Sequence, residues 1–240
     1  MVRVRAARVG LDYRTRWRRR VIWNAGVVSV YDQTWGRVFA AGYDWFLAAT
    51  EDAGLRDIRA GLVAQARGRT VEIGAGTGLN LDHYTDDVTE LTLTEPFTPM
   101  AKQLRARLKD SGRQATVIEA PAEKLPFGDD EFDSAVCTLV LCTVDDQQAS
   151  LAEFGRVLRP GGHLYFSEHV RSSGEGVARW QDRLHRPWRL FGHGCNCNRD
   201  TRVAIESAGF KITELTEGEL PKSPPIVRPL ITGVAELPVA

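Results

Sequence analysis

The chain is poor in cysteine, with four in 240 residues: Cys137, Cys142, Cys195 and Cys197. That scarcity excludes a disulfide-stapled scaffold and predicts reduced thiols in a cytoplasmic protein. Net charge is lacking as well, since 31 Lys and Arg balance 31 Asp and Glu. No whole-chain field therefore steers the molecule toward nucleic acid or an anionic surface. Long apolar runs are absent; none approaches the roughly 18 residues that a membrane-spanning helix requires. Hydrophobic content of 43% and charge of 26% otherwise describe an ordinary globular chain, long enough for one large domain.

The balance of charge is uneven. Residues 1–20 hold eight Arg against one Asp, which leaves the rest of the chain acidic. These residues read as a flexible basic arm, with weak peripheral contact to an anionic membrane as its sharper use. The triplet Arg18-Arg19-Arg20 and the apolar stretch after it do not make an export signal, because Asn24 interrupts the stretch and no small-residue cleavage site follows.

The stretch that organises the chain is Thr70-Val71-Glu72-Ile73-Gly74-Ala75-Gly76-Thr77-Gly78-Leu79-Asn80. A β-type run ends in an acid and then meets glycines at alternate positions. Glycines where a strand opens into a helix bring bare backbone N–H groups to one point, where a ligand can approach the main chain. A dinucleotide fingerprint, G-x-G-x-x-G, needs a third glycine at position 79, and Leu79 stands there instead. The pattern present is E-x-G-x-G-x-G.

Strands and helices alternate around and beyond it. Residues 27–50 place Tyr31, Trp35, Phe39 and Tyr43 four apart, on one side of a helix. Residues 57–66 predict a second helix and 81–84 the helix that follows the glycines. Residues 90–94 predict strand two, ending at Glu95-Pro96; Glu95 is placed to accept hydrogen bonds from two ribose hydroxyls. A helix over 98–109, strand three over 115–119 and strand four over 134–141 follow. A helix over 145–158 closes at Arg159-Pro160-Gly161-Gly162, before strand five over 163–168. Residues 171–198 break the rhythm and predict no element. A helix over 199–208, strand six over 210–215 and a last strand over 226–237 complete the pattern. Such alternation indicates a parallel, doubly wound α/β sheet.

Motif E-x-G-x-G-x-G, the acid at Glu95, and Ala122-Glu123-Lys124-Leu125-Pro126-Phe127 together resemble the class I S-adenosylmethionine (SAM)-dependent methyltransferases. Three further stretches narrow the likeness to thiol S-methyltransferases and the quinone-type methyltransferases: Cys137–Val144, Glu168-His169-Val170, and Gly194-Cys195-Asn196 with Val227-Arg228-Pro229 near the end. The resemblance implies a Rossmann-like, mostly parallel seven-stranded sheet whose last strand is antiparallel, with an N-terminal helical cap. On that basis residues 1–20 are the arm, 21–66 the cap, and 67–240 the SAM-binding domain. It implies SAM as cofactor, S-adenosylhomocysteine as product, and cofactor contacts at Tyr43, Glu72, Gly74, Ala75, Gly76, Gly78, Asn80, Glu95, Pro96, Ala122, Glu123, Thr138 and Leu139. Glu95 departs from the Asp common in the thiol enzymes, although either acid can bind a diol.

The sulfonium of SAM already activates its methyl, so the protein's task is to position an acceptor and remove its proton. His169, at the carboxyl end of strand five, is the candidate base, with Glu168 and His193 behind it. Tyr31, Trp180, His193 and Cys195 are the candidate acceptor pocket, with Trp188 a further aromatic. His193, Cys195 and Cys197 fall short of a zinc spacing, so no metal is expected. The expected acceptor is a small apolar molecule, a thiol before a phenol or quinol; no nucleic acid partner is expected, and the chain is read as monomer or homodimer. The alternatives are methylation of a macromolecule, or a silent SAM-binding module. Strand four lacks an Asn/Asp-Pro-Pro-Tyr/Phe-type element, and the body of the chain lacks a basic groove.

Overall fold

The computed structural model describes residues 32–239. Tyr31 and the arginine-rich arm lie outside them. A π-helical turn, Asp32–Gly36, leads into α1 (Arg37–Thr50), and a kinked turn at Gly54 (φ 131°) connects it to α2 (Arg56–Val63). The strands are β1 (Gly68–Ile73), β2 (Val88–Thr94), β3 (Thr116–Ile118), β4 (Phe132–Thr138), β5 (Leu158–His169), β6 (Lys211–Glu219) and β7 (Pro229–Glu236). Between them run α3 (Thr98–Ser111), α4 (Gln147–Val157), α5 (Glu175–Phe191) and α6 (Thr201–Ser207).

The seven strands form one sheet in the order β3-β2-β1-β4-β5-β7-β6. The neighbours from β3 to β5 pair in parallel, and β7 runs antiparallel to both β5 and β6. The order reverses between β1 and β4, and the crevice beyond the carboxyl ends there is where ligands bind in such sheets. β4 is mostly apolar at its buried positions, as a strand covered on both faces should be, while β1 alternates buried Thr70 and Glu72 with Val71 and Ile73. One core packs β4 and β5 against Leu151, Phe154 and Val157 of α4 and Ile205 of α6. Another packs Leu91 and Leu93 of β2 and Val136 of β4 against Leu62 and Val63 of α2 and Leu104 of α3. Among the described residues no helix is long and apolar enough to cross a membrane.

Local signals place the helix ends. Asp146 accepts from the N–H groups of Gln148 and Ala149 at the start of α4, and Asp200 from Val203 at the start of α6. Gly112, at φ 69°, ends α3.

Three expectations are corrected. The chain after the glycines does not form a helix but a single 3₁₀ turn, Leu81–His83. Asn80 is tethered by its side chain to Glu72, and the turn at Thr85–Val88 begins at once, so too few residues remain for a helix. Arg159-Pro160-Gly161-Gly162 lies within β5 as a bulge, with Gly161 at φ 80°, rather than between helix and strand. Residues 171–198 hold the longest helix of the described chain, α5, with Pro187 inside it.

Candidate active site

The three glycines of the motif all have positive φ, 65°, 58° and 88° for Gly74, Gly76 and Gly78, but they answer to different neighbours. A Cβ on Gly74 would lie 2.6 Å from the Val140 side chain, and one on Gly78 would lie 2.8 Å from Leu104. Those two glycines let the turn pack against its own protein. A Cβ on Gly76 would meet nothing within 4 Å. Gly76 is therefore the bare stretch of main chain facing open space.

Glu95 stands beside it. Its carboxylate accepts from the N–H of Gly76 and of Phe97, both at 2.9 Å. Burial outweighs those two bonds and pushes the Glu95 carboxyl up to about 7. Pro96, next in the chain, is exposed. Glu72, expected to face the cofactor, is turned into the protein: Asn80 donates to it at 2.9 Å and the Tyr84 hydroxyl at 2.7 Å. Its burial pushes it up to about 7 as well.

A buried arginine that the sequence analysis did not single out joins these groups. Arg59 of α2 donates to Glu51 at 2.9 Å, to Asn80 at 3.1 Å and to Thr138 at 2.8 Å. Thr138 also accepts from Asn80, so one network ties α2, the glycine turn and the end of β4. Leu139 follows in the left-handed region at φ 57°, its N–H bonded to Ser167.

α1 lies over the same edge. Asp44 accepts from the Thr77 hydroxyl and pairs with Arg107 of α3. The half-buried Tyr43 hydroxyl is raised to about 12 by burial, within electrostatic reach of Arg59, Cys142, Glu95 and Glu51. It is a donor at neutral pH. Phe39 and Phe97 both pack against the His193 ring, with centroids at 5.3 and 4.8 Å.

Ala122 is buried in the core behind β4. The Glu123 carboxylate accepts from the N–H groups of Asp145 and Asp146, ahead of α4. Ala75 is buried, its N–H bonded to the Thr94 carbonyl.

At the ends of β4 and β5 lies a second cluster. His169 Nε2 is 2.9 Å from Cys195 Sγ, and the indole N–H of Trp188 donates to the same sulfur at 3.0 Å. The Cys142 thiol bonds to Cys195 too, and all three donor atoms of Cys142, His169 and Cys195 lie within 4.8 Å of one another. The Cys142 bond, followed by the His169 charge, pulls the Cys195 thiol down to about 5 against its burial. The same bond pushes Cys142 well up, and the Cys195 charge raises His169 although burial opposes it.

The loops bearing these groups are clamped. Glu168 accepts from the N–H groups of Val140, Leu141 and Cys142 and from the Cys137 thiol, so it is an anchor and not a free base. Asn196 donates to the Cys142 carbonyl, and Arg199 to those of Leu141 and Val144. The buried amide of Gln181, on α5, donates to the carbonyls of Val170, Cys197 and Ile226. Reading 171–198 as elementless hid this anchor.

Of the expected site residues, the pocket's Cys195 meets the candidate base His169, and His193 joins the aromatic layer beneath α1. Trp180 does not join them: it is 54% exposed, under the Arg183 guanidinium. Trp188, not Trp180, reaches the cluster. The grouping of Cys195 with Cys197 and His193 is also replaced. Cys197 turns to the Gln181 carbonyl, while Cys142, buried in the same small cluster, faces Cys195.

The sequence family described as "Methyltransferase domain" matches residues 71–166. Human thiol S-methyltransferase TMT1A is 36% identical over 169 residues, 69% of this chain and 69% of that protein. The ubiquinone/menaquinone biosynthesis C-methyltransferase UbiE of Shewanella sp. (strain W3-18-1) is 32% identical over 119 residues, 48% of this chain and 47% of that protein. Among solved structures, a SAM-dependent methyltransferase from Thermotoga maritima superposes with a TM-score of 0.64 at 22% identity, covering 84% of this chain and 97% of that one.

Proposed function

The chain belongs to the SAM-dependent methyltransferases, and from that premise we propose that its acceptor is a small apolar thiol, converted to a methyl thioether. One observation carries the choice of acceptor. The His169 Nε2 is engaged by Cys195 at 2.9 Å, so the expected base is not turned toward an acceptor. An acceptor that ionises with little help suits such a site. A thiol, with a pKa of about 8.5, does so more readily than a phenol at about 10. The human relative, a thiol S-methyltransferase, agrees with this reading.

When bound, SAM supplies an electrophilic methyl on a sulfonium. The open main chain at Gly76 fits a ligand pressed against the backbone, and Glu95 beside it has carboxylate oxygens of the kind a ribose diol binds. In this reading Gly76 and Glu95 hold the nucleoside. Thr138 and Leu139 shape the wall at the end of β4. Tyr43, Phe39, Phe97 and His193 close the site from the α1 side and keep water out. Rate then comes mainly from aligning the sulfur lone pair behind the methyl carbon.

The test offers the full chain, with labelled SAM, a matched panel of an alkyl thiol, an aryl thiol, a phenol, a quinol and an amine. Label appearing first and fastest in thioether supports the reading. Label confined to the quinol or phenol, or found only on protein or RNA of a cell extract, overturns it. Calorimetry with S-adenosylhomocysteine on the same sample checks the cofactor site independently.

A further inference from the structure

The cluster at the ends of β4 and β5 has a composition that methyl transfer by positioning alone does not require. Buried thiols commonly act as small apolar groups. Here Cys142 and Cys195 instead face each other and an imidazole, with donor atoms within 4.8 Å. They come from three separate segments, each fixed from behind: Cys142 by Glu168 and Asn196, His169 by its place at the end of β5, and Cys195 by the Trp188 N–H. An N–H donated to a cysteine sulfur is the kind of outer contact that orients a metal-bound thiolate.

We propose that Cys142, His169 and Cys195 form a three-ligand site for a thiophilic divalent cation, zinc foremost, with a fourth position that takes the sulfur of the acceptor thiol. The second part rests on the thiol reading above. Two thiolates and a neutral imidazole match zinc, whereas calcium and magnesium require oxygen ligands. Among the described residues no fourth His, Cys, Asp or Glu joins the three. Three protein ligands with one position open is the arrangement of reactive rather than purely structural zinc. Tetrahedral bonds of about 2.3 Å to sulfur and 2.0–2.1 Å to nitrogen need S–N separations of roughly 3.5 Å. His169 Nε2 and Cys195 Sγ stand at 2.9 Å, so the ion would replace the bridging proton and part the pair slightly. An acceptor R–SH entering the fourth position gives its proton to solvent and keeps its electron pair as a thiolate. That pair forms the S–CH3 bond while the methyl–sulfonium bond breaks, and the breaking bond's electrons stay on the departing thioether, S-adenosylhomocysteine.

The experiment strips the full-length protein with a chelator and titrates it with Co²⁺. One equivalent with near-ultraviolet thiolate-to-cobalt bands and tetrahedral visible bands is expected. Cys142→Ser and Cys195→Ser should each weaken cobalt by about a hundredfold or more, and Cys197→Ser should leave it unchanged. Adding 2-mercaptoethanol should shift the visible bands of the intact protein, and ethylene glycol should not. Calorimetry with S-adenosylhomocysteine shows that each variant remains folded. No tetrahedral spectrum, or one that survives Cys195→Ser, overturns the site. Bands indifferent to the thiol overturn the open position. Full-rate thiol methylation by stripped protein refutes the cation while the acceptor reading stands. Cobalt binding with methylation only of non-thiols refutes the acceptor reading and the fourth-position claim with it.

Discussion

Thr77 donates its hydroxyl proton to Asp44, which ties the glycine turn to α1. Asp44 also pairs with Arg107, but both of those side chains are about one-third exposed, so water screens that pair. The Thr77 bond is the one that holds α1 against the cofactor turn.

Asp44→Ala and Thr77→Val are therefore expected to weaken S-adenosylhomocysteine binding by about tenfold each, the value of one charge-assisted hydrogen bond. The double variant should be little worse than either single one. Arg107→Ala should change affinity less than threefold, about the worth of an exposed ion pair. Calorimetric titration reads all four, and an Arg107 effect larger than that of Thr77 would show that the latch is misassigned.

The glycines should separate by assay. Gly76→Ala has room for its methyl group and pays only for a left-handed backbone, about 1–2 kcal/mol, or a melting shift of several degrees at about 2–4 °C per kcal/mol. It should nonetheless lose most cofactor affinity, because the methyl occupies the open space. Gly74→Ala meets Val140 as well and should melt lower than Gly76→Ala. Differential scanning fluorimetry with and without ligand distinguishes the two outcomes.

Glu72 and Glu95 are both raised by burial to about 7, from 4.5. A carboxyl raised on folding binds its proton more tightly in the native state, so its contribution is fully present below pH 4.5 and is lost as pH rises through 7. Against the opposite slope of the depressed Cys195 thiol, the contribution of these two carboxyls should thus fall between pH 5 and pH 8, by up to about 3 kcal/mol each. Glu72→Gln and Glu95→Gln should each flatten that fall. Variants whose melting temperature follows pH just as the wild type's does would contradict the assignment.

Arg59 pairs with Glu51 while both are nearly out of water, at 4% and 6% side-chain exposure. Arg59→Met leaves Glu51 buried without a partner and should destabilise by about 3–5 kcal/mol. Adding Glu51→Gln should restore part of the loss in chemical denaturation. If the second substitution restores nothing, the coupling between the two side chains is not what holds this corner.

The sheet was readable in the sequence because the parallel strands, β4 above all, carry short apolar runs and glycines punctuate the turns. The edge acid Glu95, the glycine turn and His169 at the end of β5 were readable for the same reason: their positions follow from chain order. Arg59 was not, since a lone arginine in an amphipathic helix looks like a solvated residue until the opposite wall supplies Glu51, Asn80 and Thr138. Pairing Cys195 with Cys142 instead of Cys197 was equally hidden. It depends on α5, whose apolar residues Val177, Trp180, Leu184, Trp188 and Phe191 recur at helical spacing but are interrupted by Pro187, and on the loop that returns from it. The helix expected after Gly78 failed because Asn80 bonds sideways to Glu72, a contact that no local pattern reveals.

All four sulfurs sit inside the protein. A thiol-alkylating reagent added to the native molecule therefore measures breathing of the sheet rather than surface chemistry. Its labelling rate at each cysteine, followed peptide by peptide, becomes a clock for how often the carboxyl edge of β4 and β5 opens, and for how far a bound guest slows that opening.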